Sequence, residues 1–587
     1  MSYFASPGGL EAWQEEYAQD FSQSLAKVSQ SRRLIILFSV GLVTAIEVSN
    51  RLSINVLLPD LQGNVAGSSD DVSWVIILYN LGFLCSLAVS YWMTRVLGSR
   101  RHLLYSIALY ATGAFGCFWS AHSLRSLLVS RVIMGFGGGA FLVRAVILVR
   151  LMFPGKDRIF ATSWLYVELY SFAVVYPPAM GWISDTLHWN YAFLLDFPFL
   201  AIGTFLIWKF VPRRHHYLRS EKSYVDAWGA GLLIAALGSM QIALSRGERD
   251  QWFQSPFIVF FLLVALVCFG SFLWWDWRPE NPAPVLHLRT IWRQAPLRAS
   301  LSIITVVGAM LGASLFVLPQ YLRTVQDYSA AQTGGFVAAY TAGLGIGMII
   351  ALRYVLPRLG GIGLVVLGAS MMCAVCVNFI YIWTPTTPTW LLALSTFLQG
   401  AALAPLLLGA SNISTGQATL SNQNDISTSY FFVRQLGNTF GVTAATVVFD
   451  HRQTLHSARL IDVANRFDPT LQSTLSQYTS LIARNGGAAA NPALGAVQIL
   501  QANVITQSRL LSYIDIYLGL AALSAVVLCL LFVSRTTGTS SPVHVDFHRC
   551  EGGHPLCSST PRLIWPSRQQ TSGQASECDT ATSGDGQ

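Results

Sequence analysis

RVIMGFGGGAFL, Arg131–Leu142, returns 265 residues later in altered form as TFLQGAALAPLL, Thr396–Leu407. A second pair, TRVLGSRRHL (Thr94–Leu103) and LRYVLPRLGGIG (Leu352–Gly363), stands 258 residues apart. Two offsets that agree this closely mark an internal duplication. The segments around both pairs are apolar over lengths that suit membrane-crossing helices rather than strands.

The composition says what solvent surrounds them. Of 587 residues, 53% are hydrophobic and only 11% charged, with a mean hydropathy of +0.48. A soluble domain carries about 25% charged residues, so most of this chain is built for lipid. Runs of about 20 apolar residues span a bilayer core, and fourteen are present. They lie at 34–58, 72–94, 102–121, 126–149, 161–184, 191–211, 228–245, 256–276, 298–320, 333–355, 361–382, 389–411, 427–449 and 511–533, the seventh being the shortest.

With the duplication, these spans divide into a six-helix bundle over 34–211, a loop with two inserted helices over 212–297, and a second six-helix bundle over 298–534. The expected fold is all-α and integral to the membrane. Parallel six-helix halves with a site between them at the midplane describe a secondary transporter. Residues 1–33 form an N-terminal segment in which Glu11, Glu15, Glu16 and Asp20 precede the basic residues, unlike a cleaved signal. Leu10, Trp13, Tyr17, Phe21 and Leu25 make a stripe that suits either a membrane surface or a short cytosolic helix; the acidic start favours the latter. The polar segment 450–508 reads as an external helix or a flexible cap, and 535–587, rich in Ser, Thr, Gly and Pro, as a disordered tail.

The net charge of +8 is a topology signal. With the N-terminus inside, twenty Lys and Arg fall on the cytoplasmic side, Arg32, Arg33, Arg100 and Arg101 among them. The short opposite loops hold four: Arg125, Arg246, Arg249 and Arg323. This positive-inside bias places both termini in the cytoplasm and removes the argument for a nucleic-acid partner. Six of nine cysteines sit in apolar runs as small hydrophobes. Cys550, His554 and Cys557 lack a fourth ligand, so no metal or cofactor is expected. No convergent catalytic group and no phosphate-binding G-x-x-x-x-G-K-[ST] motif is found, which argues against an enzyme or an ATP-driven pump. A non-transporting receptor would need a folded signalling domain that the short polar tails do not offer.

From about residue 35 to 533 the chain resembles the fourteen-helix drug/proton antiporters of the major facilitator superfamily, EmrB/QacA-type and EmrB-type most closely. The resemblance is carried by DAWGAGLLIAALGSMQIALSRGERDQWF (Asp226–Phe253), NPAPVLHL (Asn281–Leu288), LPQYLRTVQDYSAAQTG (Leu318–Gly334) and RQLGNTFG (Arg434–Gly441). It implies a proton-coupled exporter of hydrophobic or amphipathic compounds in a bacterial inner membrane, with a periplasmic adaptor and an outer-membrane channel as partners. Asp226 and Arg434 are then family-matching structural residues. Gly98 and Arg100 keep the loop motif after the second span, while Tyr91 and Arg95 replace its first glycine and its acid. In the first span Asn55, Leu58 and Pro59 match, but Asn50 stands where the family has an acid. Arg131 matches the fourth-span arginine that links protonation to the conformational switch. In the fifth span YPPAMG keeps Pro177 and Gly181 of the antiporter motif, with Tyr176 and Met180 replacing glycines. Glycines let helices approach closely, so these two side chains are expected to hold the neighbouring helix further away.

Ionisable groups inside the spans are Glu47, Arg51, Arg131, Arg144, Glu168 and Asp196, and such groups are functional by default. Glu47 and Arg51 are four apart and share a helix face, with Asn50 beside it and Asn55 two turns beyond Glu47. They form either a coupling site on the cavity or a neutralised pair. Glu168 is expected either to carry a proton or to partner Arg131 or Arg144. Asp196 is placed near the outer end of the sixth span as a structural residue. Aromatics of the fifth span either stack on substrate or pack. Arg51 and Arg144 favour an alternative cargo, an anionic metabolite or siderophore-like compound, on the same fold.

Overall fold

The computed structural model describes residues 29–64, 69–120, 123–153, 157–212, 226–247, 250–278, 281, 285, 289, 292, 294–415, 423–463, 469–484 and 492–536. The expectations for 1–28, for the tail beyond Thr536 and for Cys550, His554 and Cys557 fall outside these residues. Among the described residues there is no β-strand. The helices in order are α1 (Gln30–Asn64), α2 (Ser69–Leu97), α3 (Ser99–Trp119), α4 (Leu124–Gly138), α5 (Phe141–Met152) and α6 (Asp157–Thr186). A 3-10 segment, Trp189–Leu195, leads into α7 (Asp196–Phe210), followed by α8 (Ala227–Arg246), α9 (Pro256–Asp276), α10 (Ala295–Thr324) and α11 (Ala330–Ile350). A π-helical turn, Ala351–Val355, joins α12 (Leu356–Ile382), and α13 (Thr389–Thr415), α14 (Gln423–Val463), α15 (Pro469–Arg484) and α16 (Pro492–Thr536) complete the chain.

Nine helical stretches among the described residues are long and apolar enough to cross a membrane, one of them Ala330–Ile382 through the π turn. The fourth expected span, 126–149, is two helices, α4 and α5, divided at Gly139–Ala140. The described residues of the segment 450–508 are helical rather than a loose cap. α14 runs 41 residues and α16 45 residues, about 60 Å or more at 1.5 Å per residue, against a hydrocarbon core of about 30 Å. α15 packs along α16.

The duplication is visible in the packing. α4 packs on α2 and α3 as α13 packs on α11 and α12, and α1 packs on α6 as α10 packs on α14. The match extends to single atoms. A Cβ on Gly135 would run into the carbonyl of Tyr79, and one on Gly400 into that of Tyr340. The two positive-φ glycines among the described residues, Gly98 (φ 78) and Gly360 (φ 66), fall in the two copies of the second repeated segment. With ψ of 155 and −177, both sit where side chains are essentially excluded.

Two of the crossings between the halves are each organised by a proline. Pro177 in α6 has no N–H, which frees the carbonyl of Ala173 one turn earlier. Thr341 Oγ1 of α11 donates to that carbonyl at 2.9 Å. Pro319 in α10 likewise frees Leu315, whose carbonyl accepts from Asn55 Nδ2 of α1 at 3.5 Å.

The α6–α11 crossing corrects the expectation for YPPAMG. Gly181 lies against the main chain of Ala330, and Gly334 against that of Pro177, so close that a Cβ on either would collide. Tyr176 and Met180 share a different helix face, roughly 100° round from Pro177 and Gly181. Tyr176 turns toward Asn50 and Asp196 and leaves the crossing to the small residues.

Thr341→Val leaves the Ala173 carbonyl without its cross-helix partner and is expected to cost about 1–3 kcal/mol, read as a lower melting temperature in detergent. In a Pro177→Ala background the backbone N–H returns, and the same substitution should cost less. An equal penalty in both backgrounds refutes the assignment.

Candidate functional site

A cavity lies between the halves. Arg51, Asn55, Tyr79, Asn80, Arg131 and Tyr170 line it from one half, and Tyr340, Tyr430, Phe431, Arg434, Gln435 and Asn438 from the other. Behind the wall formed by α1 lies a chain of buried polar groups.

Glu47 is fully buried. Its Oε1 accepts from Tyr79 at 2.9 Å and faces Arg51 Nε at 3.3 Å. The i,i+4 spacing brings acid and base together on one face, as the sequence implies. The glycine run makes room for them: a Cβ on Gly138 would lie 2.8 Å from Glu47 Cγ and 3.1 Å from the Tyr79 hydroxyl. Arg51 stacks on Phe83 at 4.7 Å and reaches across the halves to Gln435 Oε1 at 3.2 Å. Gln435 in turn donates to Asn80 Oδ1 at 3.3 Å. Arg51 and Asn55 therefore line the cavity, while Glu47 and Asn50 stand directly behind them.

A second cluster adjoins the first. Asp196, with no exposed surface, accepts from Tyr176, from Asn50 Nδ2 at 3.1 Å and from Tyr110 at 3.5 Å. Asn50 Oδ1 accepts from Arg131 Nη1 at 3.5 Å. Arg131 is 1% exposed and lies over the rings of Tyr79 and Phe193, at 5.4 and 5.0 Å. Asp196, expected near the outer end of the sixth span as a structural residue, is the first residue of α7 and is held by Asn50, Tyr110 and Tyr176. A 3-10 segment ending at Leu195 starts the helix at Asp196 itself, and sequence alone does not show how far along the span that start lies.

Two other expectations change. Arg144 is buried but does not line the cavity; its Nη2 reaches the Ser90 carbonyl at 3.5 Å. Thirteen residues separate it from Arg131, which turns it roughly 220° around even an unbroken helix. Glu168 does not line the cavity either. It is 7% exposed, lies against Gly41 of α1, and neither carboxylate oxygen has a hydrogen-bond partner among the described residues. Neither Arg131 nor Arg144 is paired with it. Tyr166 and Tyr170 stack on each other and both line the cavity. Asp226 is structural, capping α8 through Gly229 N at 2.8 Å and accepting from Trp275 Nε1 and Asn281 Nδ2, each at 2.8 Å. Gly98 supplies the tight turn between α2 and α3, and Arg100 packs on Trp208 at 5.9 Å. Arg434 lies over Phe431 at 5.1 Å. Tyr79, Asn80, Tyr110 and Gln435 join the site without a sequence signal beyond being polar groups inside apolar runs.

Removing one member of a buried ion pair costs far more than removing both. Arg51→Gln is expected to lower the melting temperature in detergent more than the double variant Glu47→Gln/Arg51→Gln. The reverse order would show that the pair carries no mutual stabilisation.

Residues 35–442 match the family model described as Major Facilitator Superfamily. The chain is 25% identical over 453 residues to the multidrug export protein EmrB of Escherichia coli strain K12, covering 76% of this chain and 86% of that protein. It is 23% identical over 528 residues to the fatty acid resistance protein FarB of Neisseria gonorrhoeae, covering 88% and 97%. Among solved structures, the proton:xylose symporter XylE bound to 6-bromo-6-deoxy-D-glucose aligns with a TM-score of 0.52 at 11% identity, covering 73% of this chain and 91% of that one. A POT family peptide transporter aligns at 0.51 and 15% identity, covering 83% and 96%; both likenesses concern the fold. With paired, duplicated helix packing and a polar cavity between the halves, the chain belongs to the Major Facilitator Superfamily and is a multi-pass secondary transporter of the membrane, not an enzyme.

Proposed function

We propose that the chain exports a hydrophobic or amphipathic compound in exchange for protons, by alternating access of the cavity. The observation that carries this reading is the cavity itself: both halves line it, tyrosines and phenylalanine supply apolar faces, and buried carboxylates lie one residue behind its wall. Similarity to the multidrug exporter EmrB supports it. In this reading fourteen helices cross the membrane, six in 34–211, six in 298–534 and two between. The membrane is a bacterial inner membrane, with both termini in the cytoplasm.

The end of α1 then faces outward, and ties between the halves close that side. Arg323 Nη2 of α10 pairs with Asp60 of α1 at 2.7 Å, Ser184 donates to Asp60 at 2.8 Å, and Asp185 accepts from the Ala331 backbone at 2.9 Å. The extended α14, α15 and α16 project from the same side and offer the place where a periplasmic adaptor, coupled to an outer-membrane channel, would dock. Gly98, Arg100, Arg131, Pro177 and Gly181 serve the conformational change, Glu47 and Glu168 the proton.

An anionic amphipath is the second reading of the cargo. Three arginines, Arg51, Arg131 and Arg434, line the cavity and no acid does among the described residues. Arg51 is answered by Glu47, whereas Arg434 rests on a ring. Arg434 thus replaces Arg144 in this argument.

Proteoliposomes holding a pH gradient test the main reading. A transported compound should dissipate the gradient on addition, and Glu47→Gln should weaken that response while leaving the protein folded. Transport of a compound with no effect on the gradient would end the proton-coupled account. Preference for anionic over cationic members of a compound panel, lost in Arg434→Gln, would select the second cargo.

A further inference from the structure

We propose that Asp196 is a third proton-carrying acid beside Glu47 and Glu168, and the one whose protonation state Asn50 passes to Arg131. The inference rests on the proton-coupled reading above and adds a proton site and a relay to it.

The geometry favours Asp196 over Glu47 and Glu168 as the acid that Arg131 reads. Glu47 already faces the guanidinium of Arg51 at 3.3 Å, so a proton there competes with a direct ion pair. Glu168 lies against Gly41, away from the cavity. Asp196 has no hydrogen bond or ion pair to an arginine among the described residues, yet one amide, Asn50, separates it from Arg131 in the cavity wall. The groups facing it are Asn50 of α1, Tyr110 and Cys117 of α3, Arg131 of α4 and Tyr176 of α6, with Glu47 and Tyr79 beyond. None of them but Arg131 carries a fixed charge.

Hydrogen-bond chemistry then makes a switch. An ionised carboxylate only accepts, a guanidinium only donates, and an amide does one on each side. Between ionised Asp196 and Arg131, Asn50 can satisfy both in one orientation only, its Nδ2 toward the acid and its Oδ1 toward the arginine, which is the orientation observed. A proton added to Asp196 Oδ2 turns that oxygen into a donor facing the Asn50 amino group. With that proton directed at Asn50 rather than at the Tyr110 hydroxyl, the amide turns over to accept it, and its amino group then faces Arg131, which cannot accept. Arg131 loses that acceptor, and its Nε and Nη2 have no other among the described residues. Arg131 lines the cavity and stands two turns before the break at Gly139 and Ala140. The proton thus changes both the charge of the cluster and the hold on α4. No covalent bond other than the O–H forms or breaks. Asp196 is sealed from water in this state, so the proton exchanges in another state of the cycle.

The test has two arms. In substrate-free protein, infrared difference spectra across pH should show a titrating carboxyl C=O band that Asp196→Asn abolishes and Glu47→Gln leaves in place. Tyr176→Phe, which removes one donor and keeps the acid, should move the midpoint of that band by about one pH unit. In proteoliposomes, Asp196→Asn should lose gradient-driven accumulation and retain exchange of substrate at equal pH. Asn50→Leu should keep the band and lose the accumulation. The proposal is overturned if the band survives Asp196→Asn, is unmoved by Tyr176→Phe, or if either Asp196→Asn or Asn50→Leu still accumulates substrate against its gradient. If the wild type itself shows no proton coupling, the function reading fails instead, and the infrared arm still reports on Asp196. Should Asp196→Asn not fold, Tyr176→Phe and Asn50→Leu decide.

Discussion

Lipid offers no hydrogen bonds, so every polar group at mid-membrane depth has to be answered within the chain. The carbonyls that Pro177 and Pro319 set free obey this rule, and the partners that meet them, Thr341 and Asn55, come from the opposite half. The prolines therefore bend two helices and at the same time create the acceptors that join the halves. Glu47 and Asp196 follow the same rule, Glu47 held by Tyr79 and Arg51 and Asp196 by three donors, whereas neither oxygen of Glu168 has a hydrogen-bond partner among the described residues. All of these ties except the Glu47–Arg51 pair, which lies within α1, link different helices. A polar tie in such a place is strong when dry and exchangeable when wet, which is what a gate between two aqueous sides requires.

The duplicated halves share a backbone plan and divide the chemistry. Tyr79 and Tyr340 occupy matching places, each presenting its carbonyl to a glycine of the crossing helix. The hydroxyl of Tyr79 holds Glu47, whereas that of Tyr340 has no hydrogen-bond partner among the described residues. The first half carries the acids near the cavity; the second offers aromatic faces, Arg434 and the amide of Gln435. Gln435 bridges the division, since it meets Arg51 and Asn80 together.

How much of this was legible in the sequence depended on how local the signal was. The duplication, the apolar runs and the Glu47–Arg51 face are set by spacings within one helix or by repetition, and the structure shows them. Tyr176 and Met180 misled because composition reports which residues a helix contains, while packing depends on which face each residue takes. The contacts of Asp196 could not be read because its partners lie 20, 86 and 146 residues away. Arg144 was misplaced for a simpler reason, since thirteen residues along a helix do not return to the same side.

In the export reading, the end of the cavity where Asp60 of α1 pairs with Arg323 of α10 opens during transport. The direct measurement replaces both by cysteine in a chain otherwise free of cysteine and bridges them with a short reducible bis-methanethiosulfonate. Bridged protein in proteoliposomes should cease transport, and reduction should restore it. Transport at the unbridged rate with the link intact would show that these two helices never part there, and would contradict alternating access through this cavity.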